Sequence, residues 1–213
     1  MKALRKLLQR TPFYGAYKSL GHYPDYWYWR LRGEPIRSPH LVKQRAVREY
    51  ATLYGLRTLV ETGTYYGEMV SAMRKRFDRI YSVEFDSALA HRAQKKFAPW
   101  PHVHILEGDS RRVVPELIES LDLPALFWLD AGYYGWAGLQ GDKHRLTSEL
   151  EAILGHRIAN HVVLMDDARG LNGLNGAPTT EQLKQRIEAQ FAGRSVEVRH
   201  DILRITPTRA SSY

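Results

Sequence analysis

Short apolar runs alternate with helix-like segments along most of the chain. Apolar runs of about four to eight residues are typical of buried strands, whereas apolar positions three or four residues apart are typical of amphipathic helices. Strands are predicted at Thr58–Thr62, Ile80–Glu84, Val103–Glu107, Ala125–Asp130 and Val162–Asp166. Helices are predicted from His40 to a stop at Gly55, and at Glu68–Arg76, Ser87–Phe97, Arg111–Ser120, Lys143–Leu154 and Thr180–Phe191.

This order of elements predicts the fold class. Apolar strands that alternate with helices predict parallel βαβ units and a doubly wound, Rossmann-like α/β sheet. The stretch "SVEVRHDILRITP" near the end predicts two short strands around a turn. The sheet is therefore expected to be mostly parallel, with a C-terminal antiparallel strand and a helical or irregular N-terminal extension.

The 213 residues predict one domain, residues 40–213, preceded by an N-terminal arm, residues 1–39. The arm starts with a short basic amphipathic segment and continues into "PFYGAYKSLGHYPDYWYWRLRGEPIRSPH", which is dense in Tyr and Trp. Aromatic side chains beside arginine can bind rings, sugars or a membrane interface. Packing of the arm onto the domain is the favoured interpretation, because burial is the commonest use of aromatic residues.

Positive charge is concentrated at the start of the chain. Residues 1–57 contain 12 Lys+Arg and 3 Asp+Glu, a net charge of +9, whereas residues 58–213 contain 19 and 20, a net charge of −1. A basic arm on a near-neutral domain indicates a local partner, such as an anionic lipid surface, an acidic substrate or an acidic protein. Positive charge spread evenly over the chain would have suggested nucleic-acid binding, so a nucleic-acid partner is not expected. A solvated arm with incidental charge is the alternative.

The absence of cysteine narrows the chemistry of the site. It excludes disulfides, Cys-ligated zinc and iron–sulfur clusters. No apolar run approaches the roughly 20 residues that cross a bilayer, and the apolar part of "MKALRKLLQR" is too short and too interrupted for a signal peptide. We therefore expect a cytoplasmic protein, with peripheral membrane contact through the arm as an open alternative.

The stretch "VETGTYYG", residues 60–67, follows the first predicted strand, where a doubly wound sheet binds its ligand. A phosphate-binding P-loop would need a lysine after the second glycine, and the chain has Glu68 there. A dinucleotide fingerprint would need a glycine where the chain has Tyr65. A nucleoside without a pyrophosphate fits better, since Glu61 could bind an amino group and Glu84 could accept from ribose hydroxyls.

Five segments together resemble the ordered motifs of class I S-adenosylmethionine (SAM)-dependent methyltransferases: "VETGTYYG", "YSVEFD", "EGDS", "FWLDAGYYG" and "VVLMDDAR". The resemblance covers about residues 40–206, and the acidic pattern is similar to that of metal-dependent O-methyltransferases of the catechol and macrocin types. It implies SAM as the cofactor. The cofactor would be held by Glu61, Gly63, Thr64 and Gly67 at the methionine end, Glu84 at the ribose, Asp109 and Ser110 at the adenine, and Asp130.

Some of these residues have simpler interpretations. Gly63 and Gly67 could make only a tight turn between a strand and a helix. Asp109 could cap the helix that follows it. Glu61 is harder to explain structurally, because an unpaired buried carboxylate is costly.

Three aspartates follow two predicted strands: Asp130 after the fourth, and Asp166 and Asp167 after the fifth. Those strands are neighbours in the methyltransferase strand order, so the carboxylates would meet and repel one another unless a cation were present. Oxygen ligands suit Mg²⁺ or Ca²⁺, with Mn²⁺ as a further option. The resemblance implies that these three residues hold a metal that binds two substrate oxygens and acidifies one hydroxyl. Capping by the aspartates, or pairing with Arg169, is the alternative.

The catalytic base is less well defined. The related family carries a histidine where this chain has Gly132. Tyr133, Tyr134, His144 and His40 are substitutes by position, and metal activation alone is another route. Asp130, Tyr133 and His144 are the predicted catalytic residues.

The sequence as a whole predicts a SAM-dependent O-methyltransferase, assisted by a divalent metal, that acts on a hydroxyl of a sugar or another polyhydroxylated small molecule. Two alternatives stay open. One is methylation of RNA or protein through the basic arm, and the other is a non-catalytic scaffold that keeps the fold. The oligomeric state is left open.

Overall fold

The computed structural model describes residues 24–34, 37–130, 147–174 and 176–208. The strands are β1 Thr58–Thr62, β2 Arg79–Glu84, β3 Val103–Glu107, β4 Ala125–Leu129, β5 Val162–Met165, β6 Arg194–Arg199 and β7 Ile202–Pro207. The helices are α1 over residues 24–31, α2 His40–Leu53, α3 Glu68–Met73, α4 Ser87–Phe97, α5 Ser110–Ile118, α6 Ser148–Gly155 and α7 Thr180–Gln190, with a 3₁₀ turn at Ala168–Gly170.

The strands form one sheet of order β3-β2-β1-β4-β5-β7-β6. Strands β1 to β5 are parallel, while β7 runs antiparallel to both β5 and β6. The predicted doubly wound sheet with a C-terminal antiparallel strand is confirmed. The strand order reverses at β1, between β2 and β4, so the ligand crevice of such a sheet lies beyond the carboxyl end of β1.

Two predicted strands end one residue earlier than expected. Strand β4 ends at Leu129 and β5 at Met165, so Asp130 and Asp166 each lie just past a strand. The backbone N–H of Asp130 still donates to the carbonyl of Thr62 at 3.3 Å, and that of Asp166 donates to the carbonyl of Leu129 at 2.9 Å. These bonds hold both aspartates at the carboxyl edge of the sheet.

Helices cover both faces of the sheet. Leu126 and Trp128 of β4 point to the face covered by α2, α3 and α4, whereas Phe127 and Leu129 point to the face covered by α5, α6 and α7. All four side chains are buried. Burial on both sides explains why β4 and β5 are continuous apolar runs, as is typical of parallel sheets.

Helix α6 differs from its prediction. It begins at Ser148 and not at Lys143, because Thr147 is extended and its hydroxyl accepts from the backbone N–H of Leu150 at 3.4 Å, as an N-cap does. Residues 131–146, which include the predicted loop "AGYYGWAGLQG", lie outside the described residues.

The described part of the arm packs onto the domain. Tyr26 and Trp29 of α1 are buried against Leu41 and Val42 of α2. The rings of Trp29 and His200 also form a T-shaped pair, with ring centroids 5.5 Å apart. None of the described helices has both the length and the apolar character that crossing a bilayer requires.

Helix α2 is tied to the antiparallel end of the sheet by Tyr50. Its hydroxyl donates to a carboxylate oxygen of Glu197 on β6 at 2.6 Å, and the guanidinium of Arg204 lies 5.6 Å from the ring centre. Burial, followed by the bond to Glu197, raises the pKa of Tyr50 above its ordinary value. This contact joins the helix before β1 to the last hairpin of the chain.

We expect Tyr50→Phe to lower the free energy of unfolding by about 1 kcal/mol, because it removes one hydrogen bond and keeps the buried ring. The matching fall in Tm is about 2–4 °C. Thermal and urea unfolding measure the change. Tyr81→Phe, in a strand-borne ring that stacks on His104, is the matched control. Equal effects of the two changes would contradict the assigned role of Tyr50.

Candidate functional site

The loop after β1 is shaped by two glycines in the left-handed region. Gly63 has φ of 83° and Gly67 has φ of 68°. A Cβ on Gly63 would lie 2.9 Å from the backbone oxygen of Asp130, and a Cβ on Gly67 would lie 2.5 Å from the ring of Phe97. Both positions therefore require glycine. The interpretation as a tight turn is correct, and the turn lies at the switch point of the sheet.

Glu61 is a buried carboxyl at the centre of this edge. The hydroxyl of Ser82 donates to it, and Ser82 also hydrogen-bonds the hydroxyl of Thr64 at 2.6 Å. Burial raises the pKa of Glu61 to about 8, the Ser82 hydrogen bond opposes that rise, and the charges of Asp130 and Glu84 add to it. Among the described residues Glu61 makes no ion pair. The site therefore favours a ligand that brings a positive group to this carboxyl.

Glu84 ends β2 and is held by backbone groups. The N–H of Tyr65 donates to one carboxylate oxygen at 2.6 Å, and the N–H of Asp86 donates to the other at 3.0 Å. Each carboxylate oxygen has two lone pairs, so Glu84 can still accept from a ligand's hydroxyls. The next residue, Phe85, is 78% exposed.

The two residues predicted to face the adenine already have protein partners. Asp109 accepts from the backbone N–H of Arg111 at 3.0 Å and from its guanidinium at 2.6 Å. This hydrogen bonding to Arg111 lowers the pKa of Asp109. Ser110 donates to Glu149 at 2.8 Å. The capping interpretation of Asp109 is confirmed, and contact of either residue with an adenine stays a prediction.

Asp130, Asp166 and Asp167, the carboxylate cluster, lie at the ends of neighbouring strands β4 and β5. Burial, followed by the charge of Asp166, raises the pKa of Asp130 to about 7. Burial also raises the pKa of Asp166, and Lys43 opposes that rise. The sequence-predicted meeting of the three carboxylates at one edge is therefore what the structure has.

The predicted magnesium site does not fit this arrangement. The ammonium of Lys43 forms an ion pair with Asp166, and Arg169 binds Asp167 at 2.8 Å. Across the described ranges, no group of three or more His, Asp or Glu side chains is arranged to hold a metal ion. The reason is electrostatic, because Lys43 and Arg169 already supply positive charge beside Asp166 and Asp167. The alternative pairing of Asp167 with Arg169 is confirmed.

Lys43 is the residue of this site that sequence reasoning missed. It lies on α2, upstream of every recognised motif, and is flanked by the buried Leu41, Val42 and Ala46. No short-range pattern connects it to Asp166, which is 123 positions further on. Only the packing of α2 against the sheet brings them together.

Of the candidate bases, only His40 lies among the described residues. His40 is engaged, because one ring nitrogen lies 2.8 Å from the amide of Gln44 and the other lies 3.8 Å from Glu68. Gly132, Tyr133, Tyr134 and His144 lie outside the described residues. The catalytic roles predicted for Tyr133 and His144 therefore stay predictions.

Comparison with known proteins gives relatives in structure but not in sequence. No protein-family model matches the chain, and no curated protein sequence matches it. The O-methyltransferase TomG from Streptomyces achromogenes, solved with SAM, has a TM-score of 0.57 and 16% identity over 85% of this chain and 86% of its own.

Two further solved structures are similar. An O-methyltransferase from Bacillus cereus, in complex with S-adenosylhomocysteine (SAH), has a TM-score of 0.56 and 14% identity over 79% of this chain and 81% of its own. An SAH-bound methyltransferase of Podospora anserina has a TM-score of 0.56 and 20% identity over 87% of both chains. The chain has the fold of these SAM-dependent methyltransferases.

The raised pKa of Glu61 predicts how stability depends on pH. The folded-state pKa is about 8, against an ordinary value of 4.5. The folded state therefore holds the proton more tightly than the unfolded state does. This contribution to stability is fully present below about pH 4.5 and is lost as the pH rises through about 8.

We expect Glu61→Gln to be more stable than the unchanged protein at pH 8.5, on the order of a few kcal/mol, and close to it at pH 5. Urea unfolding at both pH values measures this difference. The stability of the variant still depends on pH, because the pKa of Asp130 is also raised and its contribution also falls as the pH rises. Glu116→Gln, an exposed carboxyl on α5, is the control and should change little. A pH dependence that is the same in Glu61→Gln and the unchanged protein would contradict the assignment.

Proposed function

We propose that this chain is a SAM-dependent methyltransferase that transfers the methyl group to a hydroxyl oxygen of a small molecule. One observation carries the proposal. The loop with Gly63 and the carboxyls of Glu61 and Glu84 meet at the carboxyl ends of β1 and β2, where the strand order reverses. Solved proteins of this fold were obtained with SAM or SAH, which supports the same cofactor here.

The proposed contacts follow from charge and hydrogen bonding. Glu61 has a buried carboxyl with a hydroxyl partner, so it would bind the ammonium of the methionine end of SAM. Glu84 would accept from the ribose hydroxyls with its remaining lone pairs. Gly63 and Gly67 would shape the loop that faces the cofactor, because both have a left-handed backbone. Thr64 orders Ser82 beside Glu61 and acts through that hydroxyl pair.

The transfer is a displacement at carbon. The acceptor oxygen attacks the methyl carbon of the sulfonium, the carbon–sulfur bond breaks, and its electron pair stays on sulfur to give SAH. The hydroxyl proton leaves to a base. Asp130, whose backbone oxygen lies beside Gly63, would receive a hydrogen bond from the acceptor hydroxyl and orient it. Tyr133 and His144 are further candidates for the proton.

A sugar or another polyhydroxylated small molecule is the proposed acceptor. TomG takes part in tomaymycin synthesis, which supports a small-molecule acceptor. The divalent metal predicted from the three aspartates has no support among the described residues, so no step is routed through Mg²⁺. No described contact favours RNA, protein or a non-catalytic role, and a partner for the basic arm stays a prediction.

Calorimetric titration with SAH tests the proposal directly. We expect wild type to bind SAH and Glu84→Gln to bind it about 10- to 100-fold more weakly, because a charged acceptor of hydrogen bonds is removed. Glu107→Gln is the matched control, since Glu107 ends the neighbouring strand in register with Glu84. Folded wild type that binds no SAH would overturn the proposed function. Equal losses in the two variants would contradict the role of Glu84.

A further inference from the structure

The carboxylate cluster already contains a cation of its own. We infer that Lys43 is the resident cation of this cluster, and that its ammonium holds the place predicted for a divalent metal. Methyl transfer in this chain would then need no divalent ion, an inference that rests on the proposed function. Lys43 would be a positioning residue for the acceptor, and it comes from the helix that joins the arm to the domain.

Both carboxylate oxygens of Asp166 already have a hydrogen-bond partner within the protein. One carboxylate oxygen binds the ammonium of Lys43, and the other accepts from the backbone N–H of Asp167 at 2.8 Å. The side chain of Asp166 is 1% exposed and that of Lys43 is 18% exposed. The pair is thus largely shielded from water, and salt screens a buried ion pair less than an exposed one. An ion at Asp166 would stand beside the ammonium of Lys43, whose positive charge would repel it.

The carboxylate of Asp167 is also engaged. Arg169 binds it at 2.8 Å and also pairs with the buried Asp201. The ammonium of Lys43 is 4.0 Å from the same oxygen of Asp167. Lys43 therefore lies between Asp166 and Asp167, and Arg169 lies between Asp167 and Asp201.

Lys43 is held in place by its helix. Its neighbours Leu41, Val42, Ala46 and Val47 are buried, so α2 cannot shift along the sheet without exposing apolar surface. The charge of Lys43 also reaches Asp130, where it opposes the effect of burial on the pKa. An ammonium has three donors. Asp166 takes one, and the others can meet an oxygen of the acceptor, which is the positioning task of a metal.

Manganese binding tests the inference, with Mn²⁺ as the probe and paramagnetic resonance as the readout. We expect wild type to bind no Mn²⁺ up to about 1 mM, because the charge of Lys43 offsets that of Asp166 and repels a second cation. We expect Lys43→Ala to bind Mn²⁺ at least about tenfold more tightly than wild type, because the freed carboxylates are hard oxygen ligands. Lys75→Ala, at an exposed lysine, is the matched control and should behave like wild type.

Each outcome decides the question. Stoichiometric Mn²⁺ binding by wild type that is lost in Asp130→Asn would overturn the inference. Mn²⁺ binding by neither wild type nor Lys43→Ala would overturn it as well, since Lys43 would not hold a cation's place. Lys43→Ser repeats the test if Lys43→Ala does not fold, and a rise in Tm with Mn²⁺ in the variant alone is a second readout. SAH titration of the same proteins keeps failure of the proposed function separate.

Discussion

Parallel strands place all their carboxyl ends on one edge of a sheet, and in this protein acidic side chains stand at those ends. Strands β1, β2, β4 and β5 each bring at least one carboxyl group there, from Glu61, Glu84, Asp130, Asp166 and Asp167. Like charges at close range repel one another, and burial further disfavours the ionised form of each carboxyl. How each carboxyl is compensated determines what the edge can bind.

The compensation differs from one carboxyl to the next. Glu84 is satisfied by backbone N–H groups, and Asp166 is paired with Lys43. Glu61 and Asp130 have no bound cation among the described residues, and burial is the main cause that raises their pKa values to about 8 and about 7. A ligand with positive charge gains most beside these two residues. SAM carries an ammonium and a sulfonium, which is why its chemistry suits this edge.

Helix α2 links the arm to the site. Its buried face contacts Tyr26 and Trp29 of the arm, and its polar face delivers Lys43 to Asp166. The far end of the same helix is tied to the last hairpin through Tyr50. A segment that precedes the first strand therefore contributes a charge to the centre of the site. An acceptor bound there would meet a group from outside the recognised motifs.

Local pattern determined the fold class and placed Glu61, Glu84 and the three aspartates at strand ends, and the methyltransferase resemblance supplied the strand order that brings them to one edge. These features depend on hydrophobic periodicity and on which residues follow each strand, and both can be identified from the sequence. Helix α6 was placed too early, because the capping of Thr147 is a matter of local backbone geometry. The capping of Asp109 was foreseen as an alternative, and its bond to Arg111 is equally local.

The cation in the carboxylate cluster was decided by tertiary structure. The aspartates alone predicted a divalent metal, because oxygen ligands in a group need positive charge. Lys43 supplies that charge from 123 residues away, and the ion pair exists only because α2 packs against β4. Sequence spacing carries no information about such a contact, since it depends on which helix covers which face of the sheet. The acids were therefore predictable from the sequence, and their partner was not.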